Sequence, residues 1–327
     1  MSSPSPLVSV IIPCRNGAAW LGDAIESCLA QSWKPLEIVV VDDASTDGSR
    51  DVARRYQARG VIALDSPRRG AGAARNVGLQ QVRAEFIQFL DADDVLDRDK
   101  IRIQMEGLAQ EPAGVVASGA WARFSDHPGE AVFAAEPVWR DFAAPAELLI
   151  ASWLGGGMMA NFAWLTPRAV LQRAGAWDEA LSLGDDGEYF CRVLLAASAV
   201  LFCGNARGFY RSTAAPRLSQ RRDRAALLSA FTAVDQSCRH LLERDDSPAA
   251  RKACATQYQR FAYDVYPQAR DLVARAELRT RQLGGSELRP GGGRTFQLLA
   301  KSFGWKFGKR CQRAWHGVKA LRAGALP

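Results

Sequence analysis

The sequence predicts an α/β fold built on a mostly parallel sheet, with helices on its faces and a helical C-terminal extension. The first indication is an alternation of short β-branched runs with amphipathic segments up to about residue 98, which is typical of βαβ units. The second is that only helical periodicity follows residue 223. The third is charge: residues 1–216 contain 20 Lys and Arg against 26 Asp and Glu, whereas residues 217–327 contain 22 against 9.

The individual elements follow from hydrophobic periodicity and from turn residues. In the first half the predicted strands are 7–12, 36–41, 61–64 and 86–90, and the predicted helices are 20–29, 49–59 and 72–82. In the second half we predict helices at 99–109, from 167 and at 185–197, strands at 115–124, 158–165, 200–202 and 208–210, and an irregular segment at 125–146. The C-terminal extension is predicted to form helices at 223–243, 248–283 and 294–322.

The change in charge predicts a domain at 1–220 followed by a basic helical region at 221–327. This region ends in an amphipathic helix, 294–322, with eight Lys and Arg residues and no acidic residue. Such a helix with an aromatic and aliphatic face is typical of elements that lie on a membrane surface. That face disfavours nucleic acid as the partner. The alternative, that the face packs on the rest of the chain, stays open.

Composition excludes several classes of protein. No apolar run approaches the roughly 18 to 20 residues of a membrane span, and the N-terminus lacks the features of a secretory signal. The seven cysteines are scattered without a C-x-x-C motif, which favours reduced thiols over disulfides or a zinc site. Only three histidines occur, far apart, which disfavours a histidine-based metal site or catalytic triad. We therefore expect a cytoplasmic protein.

One apolar strand leads directly into three carboxylates, Asp91, Asp93 and Asp94. In an extended chain the side chains of Asp91 and Asp93 point to the same side. Hard oxygen ligands suit Mg²⁺ or Mn²⁺, and open α/β sheets bind ligands at the C-terminal ends of their strands. The alternative is a polar turn that caps a helix, and this short motif alone favours the alternative.

Four motifs in a fixed order favour the ligand-binding interpretation of this turn instead. They are VSVIIPCRN at 8–16, EIVVVDDASTDGS at 37–49, GAGAARNVG at 70–78 and FLDADD at 89–94. Together they resemble the family 2 glycosyltransferases, which are inverting, nucleotide-sugar-dependent enzymes with the GT-A fold. The resemblance covers about residues 7–215. It implies a Rossmann-like nucleotide-binding sheet, a donor half at about 7–98, an acceptor half at about 99–220, and a helical extension outside the shared core.

The resemblance also implies which residues contact the nucleotide-sugar donor. The acidic pair after the second strand matches the position that meets the base or ribose, and carboxylates accept hydrogen bonds from a uracil N–H or a ribose hydroxyl. Arginines in the family's donor loops pair with phosphate, although a purely structural arginine is the rival interpretation. The donor-binding residues implied in this way are Pro13, Arg15, Asp42, Asp43, Arg75, Asp91 and Arg211.

For the metal and the general base the resemblance gives further expectations. Asp93, together with Asp91, is expected to bind Mn²⁺ or Mg²⁺, which neutralises charge on the departing diphosphate. Asp186, at the start of a helix, is expected to be the general base, with Asp185 as the second choice. The chain departs from the family at Thr213, where many relatives carry a histidine that completes the metal site.

The leading hypothesis is therefore a metal-dependent inverting glycosyltransferase. It would move a sugar, from a UDP-sugar by preference, to a glycan or lipid-linked acceptor in cell-surface polysaccharide synthesis, on the cytoplasmic face of a membrane. One alternative is a non-catalytic protein that binds nucleotide sugars or glycans on the same fold. A second is a sugar-phosphate nucleotidyltransferase, but residues 13–16 lack the Gly-rich first loop of that class. The transferred sugar, the linkage and the oligomeric state are not predicted.

Overall fold

The structure is a computed structural model that describes residues 5–212 and 220–312. Its strands are β1 Val8–Cys14, β2 Leu36–Asp42, β3 Ile62–Asp65, β4 Phe86–Phe89, β5 Val95–Leu96, β6 Val115–Phe124, β7 Thr166–Pro167 and β8 Ala199–Arg211. The helices up to β8 are α1 Leu21–Leu29, α2 Ser49–Arg55, α3 Ala71–Gln81, α4 Lys100–Leu108, α5 Pro145–Ala151, α6 Arg168–Ala174 and α7 Asp185–Ala196. After β8 follow α8 Arg224–Arg244, α9 Pro248–Val265, α10 Arg270–Gln282 and α11 Arg294–Phe303.

The central sheet has the strand order β3-β2-β1-β4-β7. Its first four strands are parallel, and the short edge strand β7 is antiparallel to β4. Cys14 of β1 lies opposite Asp42 of β2, and Ile11 lies opposite Phe89 of β4. Because the strands are parallel, their C-terminal ends meet at one edge of the sheet, and each of these ends is followed by a loop.

Residues alternate between two apolar layers because successive side chains of a strand point to opposite faces. Ile11 of β1 and Val39 of β2 belong to the layer that contains α6 and α7 residues, whereas Val10 and Ile12 belong to the layer beneath α1. All of these side chains are buried. The near-continuous apolar runs in the sequence thus reflect a sheet that is covered on both faces.

A second sheet has the order β5-β8-β6. The long strand β8 pairs with both β5 and β6, and its end brings Arg211 next to the turn that follows β4. The sequence predicted two separate strands, 200–202 and 208–210, where the structure has this one strand. The prediction divided it at the weakly apolar 203–207, where the register with β6 shifts between Gly119 and Trp121 and pairing resumes at Gly208.

The described residues after β8 form helices and loops, as predicted. Helix α8 packs on α7, and its residues Leu227 and Phe231 share a hydrophobic cluster with Tyr189 of α7. Side chains cap α8 and α9: Asp223 accepts a hydrogen bond from Ala226 N, and Ser247 accepts one from Ala250 N. The helical region is therefore joined to the preceding fold through a common core.

Three predicted elements need correction. Residues 158–165 do not form a strand: the segment is irregular with a 3₁₀ turn at Asn161–Ala163, because its side chains fill the space between the two sheets. The helix at 248–283 is two helices, since Pro267 cannot continue a helix interior. The helix at 294–322 is interrupted at Gly304, where φ is 82°.

Helix α11 and the helical residues 305–312 present two different faces. Phe296 is buried, and Trp305 packs edge-on against Tyr263 and Tyr266 of the α9 region. Leu298 and Phe303 are both 68% exposed. Residues 313–322 of the predicted helix, and Thr213, lie outside the described residues. Among the helices described, none combines the length and apolarity that crossing a bilayer demands.

Candidate active site

Three strand ends of the central sheet bring the predicted donor-binding residues to one edge. Pro13 is buried within β1, where it lies opposite Val41, and Arg15 follows as an exposed residue. Asp42 ends β2 and Asp43 follows it, while the Asp91–Asp94 turn follows β4. The parallel arrangement thus gathers side chains that are up to 80 residues apart in the sequence, as the motif order predicts.

The two carboxylates after β2 are both buried. Asp43 Oδ1 accepts a hydrogen bond of 3.0 Å from the backbone N–H of Gly70, and its second oxygen lies 3.7 Å from the guanidinium of Arg15. Asp42 accepts a hydrogen bond of 3.2 Å from Ser45 N through one oxygen. Its other oxygen is buried and has no hydrogen-bond partner among the described residues. Asp43 therefore fixes the start of α3 relative to β2.

Arg75 of α3 occupies the centre of the site. Its side chain is 6% exposed, and it donates hydrogen bonds to Asp91 at 2.8 Å and to Asp185 at 3.0 Å. The guanidinium lies 4.3 Å above the ring of Trp177, in the geometry of a cation–π contact. One buried cation therefore joins the carboxylate after β4 to the carboxylate at the start of α7.

Two residues of the site were not predicted from the sequence. Asn161, which is buried, donates a hydrogen bond of 3.2 Å to the same Asp91 oxygen that Arg75 contacts. Trp177 forms the floor beneath Arg75, and its backbone is held by two hydrogen bonds with the side chain of Asn76. The one signal for Asn161 was a polar residue inside the apolar run at 158–165.

Arg211 donates hydrogen bonds that fix the position of the turn that contains Asp93. The Arg211 backbone N–H donates to Asp94 Oδ1 at 2.9 Å, and its Nε donates to the carbonyl oxygen of Asp93 at 2.8 Å. Its terminal nitrogen pairs with Asp23 at 2.7 Å, and the guanidinium lies over Phe124. In this structure Arg211 positions the turn, and contact with a diphosphate stays a prediction for it.

Helix α7 presents the two remaining candidates in its first turn. Asp185 is half-buried beside Arg75, whereas Asp186 is exposed and accepts a hydrogen bond from Gly187 N. Burial raises the pKa of Asp185 to about 6, Arg75 opposes this, and the charges of Asp186 and Asp91 add to it. Gly184 precedes the helix with φ 83°, a conformation that favours glycine, and a Cβ there would lie 3.1 Å from the Cβ of Ala233 in α8.

The D-x-D turn fits a divalent cation only in part. Its donor set is hard carboxylate oxygen, the class that Mg²⁺ and Mn²⁺ prefer. However, Asp91 Oδ1 is already engaged by Arg75 and Asn161. Within 5–212 and 220–312 no group of three or more His, Cys, Asp or Glu side chains is arranged to hold a metal. These residues therefore suit a cation that receives further ligands from a bound diphosphate and water.

The parallel sheet with an acid-rich C-terminal edge, followed by a helical region, is the GT-A class of glycosyltransferase fold. The S. aureus TarS 1–349 structure in complex with UDP-GlcNAc superposes with a TM-score of 0.61 at 16% identity. The superposition covers 84% of this chain and 88% of that one. At such low identity the similarity shows the fold, and the predicted fold class is confirmed.

Sequence comparison gives the family. Residues 9–150 match the family model described as glycosyl transferase family 2. A glycosyltransferase of Haemophilus influenzae is 34% identical over 130 residues, 39% of this chain and 51% of that protein. The putative teichuronic acid biosynthesis glycosyltransferase TuaG of Bacillus subtilis is 34% identical over 122 residues, 36% of this chain and 48% of TuaG. The chain thus spans about half the length of these relatives.

We expect Arg75→Gln to lower the free energy of unfolding by roughly 3 kcal/mol, because it removes a buried cation and leaves two partly buried carboxylates without their common partner. Urea denaturation at pH 7.5 measures this loss. The matched control is Arg59→Gln, since Arg59 pairs with Glu26 on the surface and a surface pair contributes little. Equal stability losses in the two variants would contradict a central role for Arg75.

We also expect Asp185 to make stability depend on pH. Its carboxyl binds a proton more tightly in the folded chain, where the pKa is about 6, than in the unfolded chain. The free energy of unfolding should therefore fall as pH rises from about 4 to about 6, by up to roughly 3 kcal/mol. Asp185→Asn should remove this slope. The measurement is the free energy of unfolding of wild type and Asp185→Asn as a function of pH, and the difference between the two curves isolates the contribution of Asp185. The exposed Asp246→Asn is the control. Parallel curves for wild type and Asp185→Asn would exclude Asp185 as the source of the pH dependence.

Proposed function

We propose that the chain is an inverting glycosyltransferase that moves a sugar from a nucleotide-sugar donor to a glycan or lipid-linked acceptor. The observation that carries this proposal is the Arg75 bridge, because it joins the D-x-D turn to the acidic start of α7. A donor site and an acceptor base must lie on either side of one reacting carbon. In this proposal the D-x-D turn serves the donor and the start of α7 serves the acceptor. The family of residues 9–150 and the name of the TuaG relative support a role in cell-surface polysaccharide synthesis.

The donor would lie along the sheet edge, with its nucleotide near the end of β2. The unpartnered buried oxygen of Asp42 suits a ribose hydroxyl or a base N–H as donor. Arg15 is exposed at the end of β1, so it is available to contact the donor phosphates after small movements of its side chain. The TarS structure in complex with UDP-GlcNAc favours a UDP-sugar, since the two chains share their fold.

The transfer is a single displacement at the anomeric carbon. The acceptor hydroxyl attacks that carbon from the face opposite the diphosphate, the bond from carbon to phosphate oxygen breaks, and the nucleoside diphosphate leaves with the electron pair. Asp186 takes the proton of the hydroxyl. Asp93 and Asp91 would hold Mn²⁺ or Mg²⁺, which supplies positive charge against the developing charge of the leaving group.

Asp186 is a better candidate for the base than Asp185 because of its surroundings. It is exposed, so an acceptor hydroxyl can reach it, and it lies in the first turn of α7. Asp185 is engaged by Arg75 and acts to position that arginine. A non-catalytic binding protein would not need an exposed carboxylate in the first turn of α7, next to the residue that Arg75 contacts.

Release of UDP from a UDP-sugar panel with Mn²⁺ and candidate acceptors tests the proposal. We expect Asp186→Asn to lower the transfer rate about 10² to 10⁴-fold with donor affinity retained, since a general base contributes about that factor. Asp93→Asn should weaken the Mn²⁺ dependence of donor binding instead. The exposed Asp246→Asn, far along the chain between α8 and α9, is the control. An unchanged transfer rate in Asp186→Asn would exclude Asp186 as the base. If the transfer rate falls on the acidic side of about pH 6 and this fall disappears in Asp185→Asn, the base is Asp185.

A membrane surface as partner is the second part of the proposal. Helix α11 and residues 305–312 expose Leu298, Phe303 and Phe307, and the rings of the two phenylalanines contact each other. The basic residues Arg294 and Lys301 are exposed on the same short segment. The buried face of this segment packs on the α9 region through Trp305. An exposed apolar patch with cations beside it suits an anionic lipid surface, which would hold the chain at the cytoplasmic face.

Sedimentation with phosphatidylglycerol-containing vesicles tests this part. The double variant Leu298→Ser, Phe303→Ser should reduce vesicle binding by about tenfold or more, because each exposed apolar side chain loses the free energy of transfer into lipid. Leu228→Ser is the control, since Leu228 is exposed on α8, distant in sequence from the patch. Binding should also fall with added salt. Equal binding by both variants would exclude α11 as the lipid contact.

A further inference from the structure

A cavity of about 330 Å³ lies between the first turn of α7 and the helices α8 and α9. The backbone at Gly184 and Gly187 forms one wall, and neither residue places a side chain into the space. The opposite walls are mainly apolar and include Leu227, Val234 and Phe261. A concave site of this size with mostly apolar walls is typical of ligand pockets. No residue of the proposed donor site lines it.

Charged side chains complete the lining where the cavity meets solvent. Arg222 and Asp264 are exposed, and Arg260 is half-buried with its guanidinium donating a hydrogen bond to the Trp153 carbonyl oxygen at 3.2 Å. Desolvation raises the pKa of the Asp264 carboxyl, and the charges of Lys309, Arg260 and Arg222 lower it. Glu188 also lines the cavity, but its carboxylate is paired with Arg192 at 2.6 Å. The remaining charges are those of Arg222, Arg260 and Asp264, with Lys309 nearby, and this excess of positive charge suits an anion.

The position of the cavity relates it to two features described above. Gly184 and Gly187 flank the pair Asp185 and Asp186, so a ligand in the cavity lies within one helical turn of the proposed base. On the other side, Lys309 follows the segment that exposes Leu298 and Phe303. The cavity thus lies between the proposed point of transfer and the proposed lipid surface.

We propose that this cavity binds the alkyl or prenyl chain of an acceptor lipid, with the phosphate of that lipid between Arg222 and Arg260. The inference rests on the proposed function, which requires an acceptor on the α7 side of the site. It adds the chemical class of that acceptor: an apolar chain with an anionic group at its end. The apolar walls recognise the chain by burial, and the two guanidinium groups recognise phosphate by charge-assisted hydrogen bonds.

Decyl phosphate, used below its micellar concentration, is the probe, and isothermal titration calorimetry with the full chain is the measurement. We expect one saturable site. Ala230→Phe and Val234→Phe fill the cavity from α8 and should weaken binding at least about tenfold, because each excluded methylene group removes roughly a fourfold factor. Leu228→Phe is the matched control on the exposed face of α8 and should bind as the wild type does. Thermal unfolding of each variant reports whether it folds.

Separate binding measurements test whether the site recognises the anionic group. Decyl maltoside carries the same chain without charge and should bind more weakly than decyl phosphate, and Arg222→Gln should remove part of that difference. Inorganic phosphate alone should not bind measurably. Binding of decyl phosphate that is equal in wild type, Ala230→Phe and Val234→Phe, or absent in all, would overturn the inference, and so would equal binding of the two decyl compounds.

Titration of UDP with Mn²⁺ into the same samples separates this inference from the proposed function. The cavity-filling variants should bind UDP as the wild type does, because the cavity and the sheet edge share no residue. A chain that binds UDP but not decyl phosphate would retain the proposed function and lose the lipid site. A chain that binds decyl phosphate but not UDP would retain the lipid site and contradict the proposed function.

Discussion

The arrangement of the site depends on one buried cation. Asp91 and Asp185 come from different halves of the chain. Two carboxylates that share one cation repel each other in a partly dry environment. Arg75 makes their proximity favourable, and its own position is fixed by the packing of α3 on the sheet. Asp43 holds the start of that helix through Gly70, and Asn76 ties the next turn to the loop of Trp177. The turn after β4 and the start of α7 are therefore aligned by α3 as much as by the sheet.

The sequence allowed the donor half of the fold to be predicted closely. Its strands are buried on both faces, so each appears as an uninterrupted β-branched run that ends at a polar residue, as β2 does at Asp42. Parallel pairing then requires the polar ends to meet at one edge. The gathering of Arg15, Asp43 and Asp91 at this edge thus follows from local patterns alone.

The acceptor half was predicted less well because long-range contacts determine it. Residues 158–165 have the composition of a strand, but they fill the gap between two sheets, and Asn161 is turned toward Asp91 by that packing. Arg211 pairs with Asp23, 188 positions earlier in the chain, and the sequence did not indicate this partner. The hydrophobic periodicity of a segment does not indicate which distant residues its side chains contact. The same is true of the cavity beside α7, whose walls come from three helices.

The close approach of Gly184 to Ala233 has a consequence for how related chains can diverge. Residues 9–150 carry the family match, but the helix that presents Asp186 rests on α8, which lies beyond it. Any exchange of C-terminal regions between relatives would bring a different side chain to the Ala233 position. A larger residue there would press against the first turn of α7, since the Cβ of Ala233 already lies 3.1 Å from the position that a Cβ of residue 184 would occupy. Under the proposed function, the shape of the cavity beside α7 and the position of Asp186 would then change together.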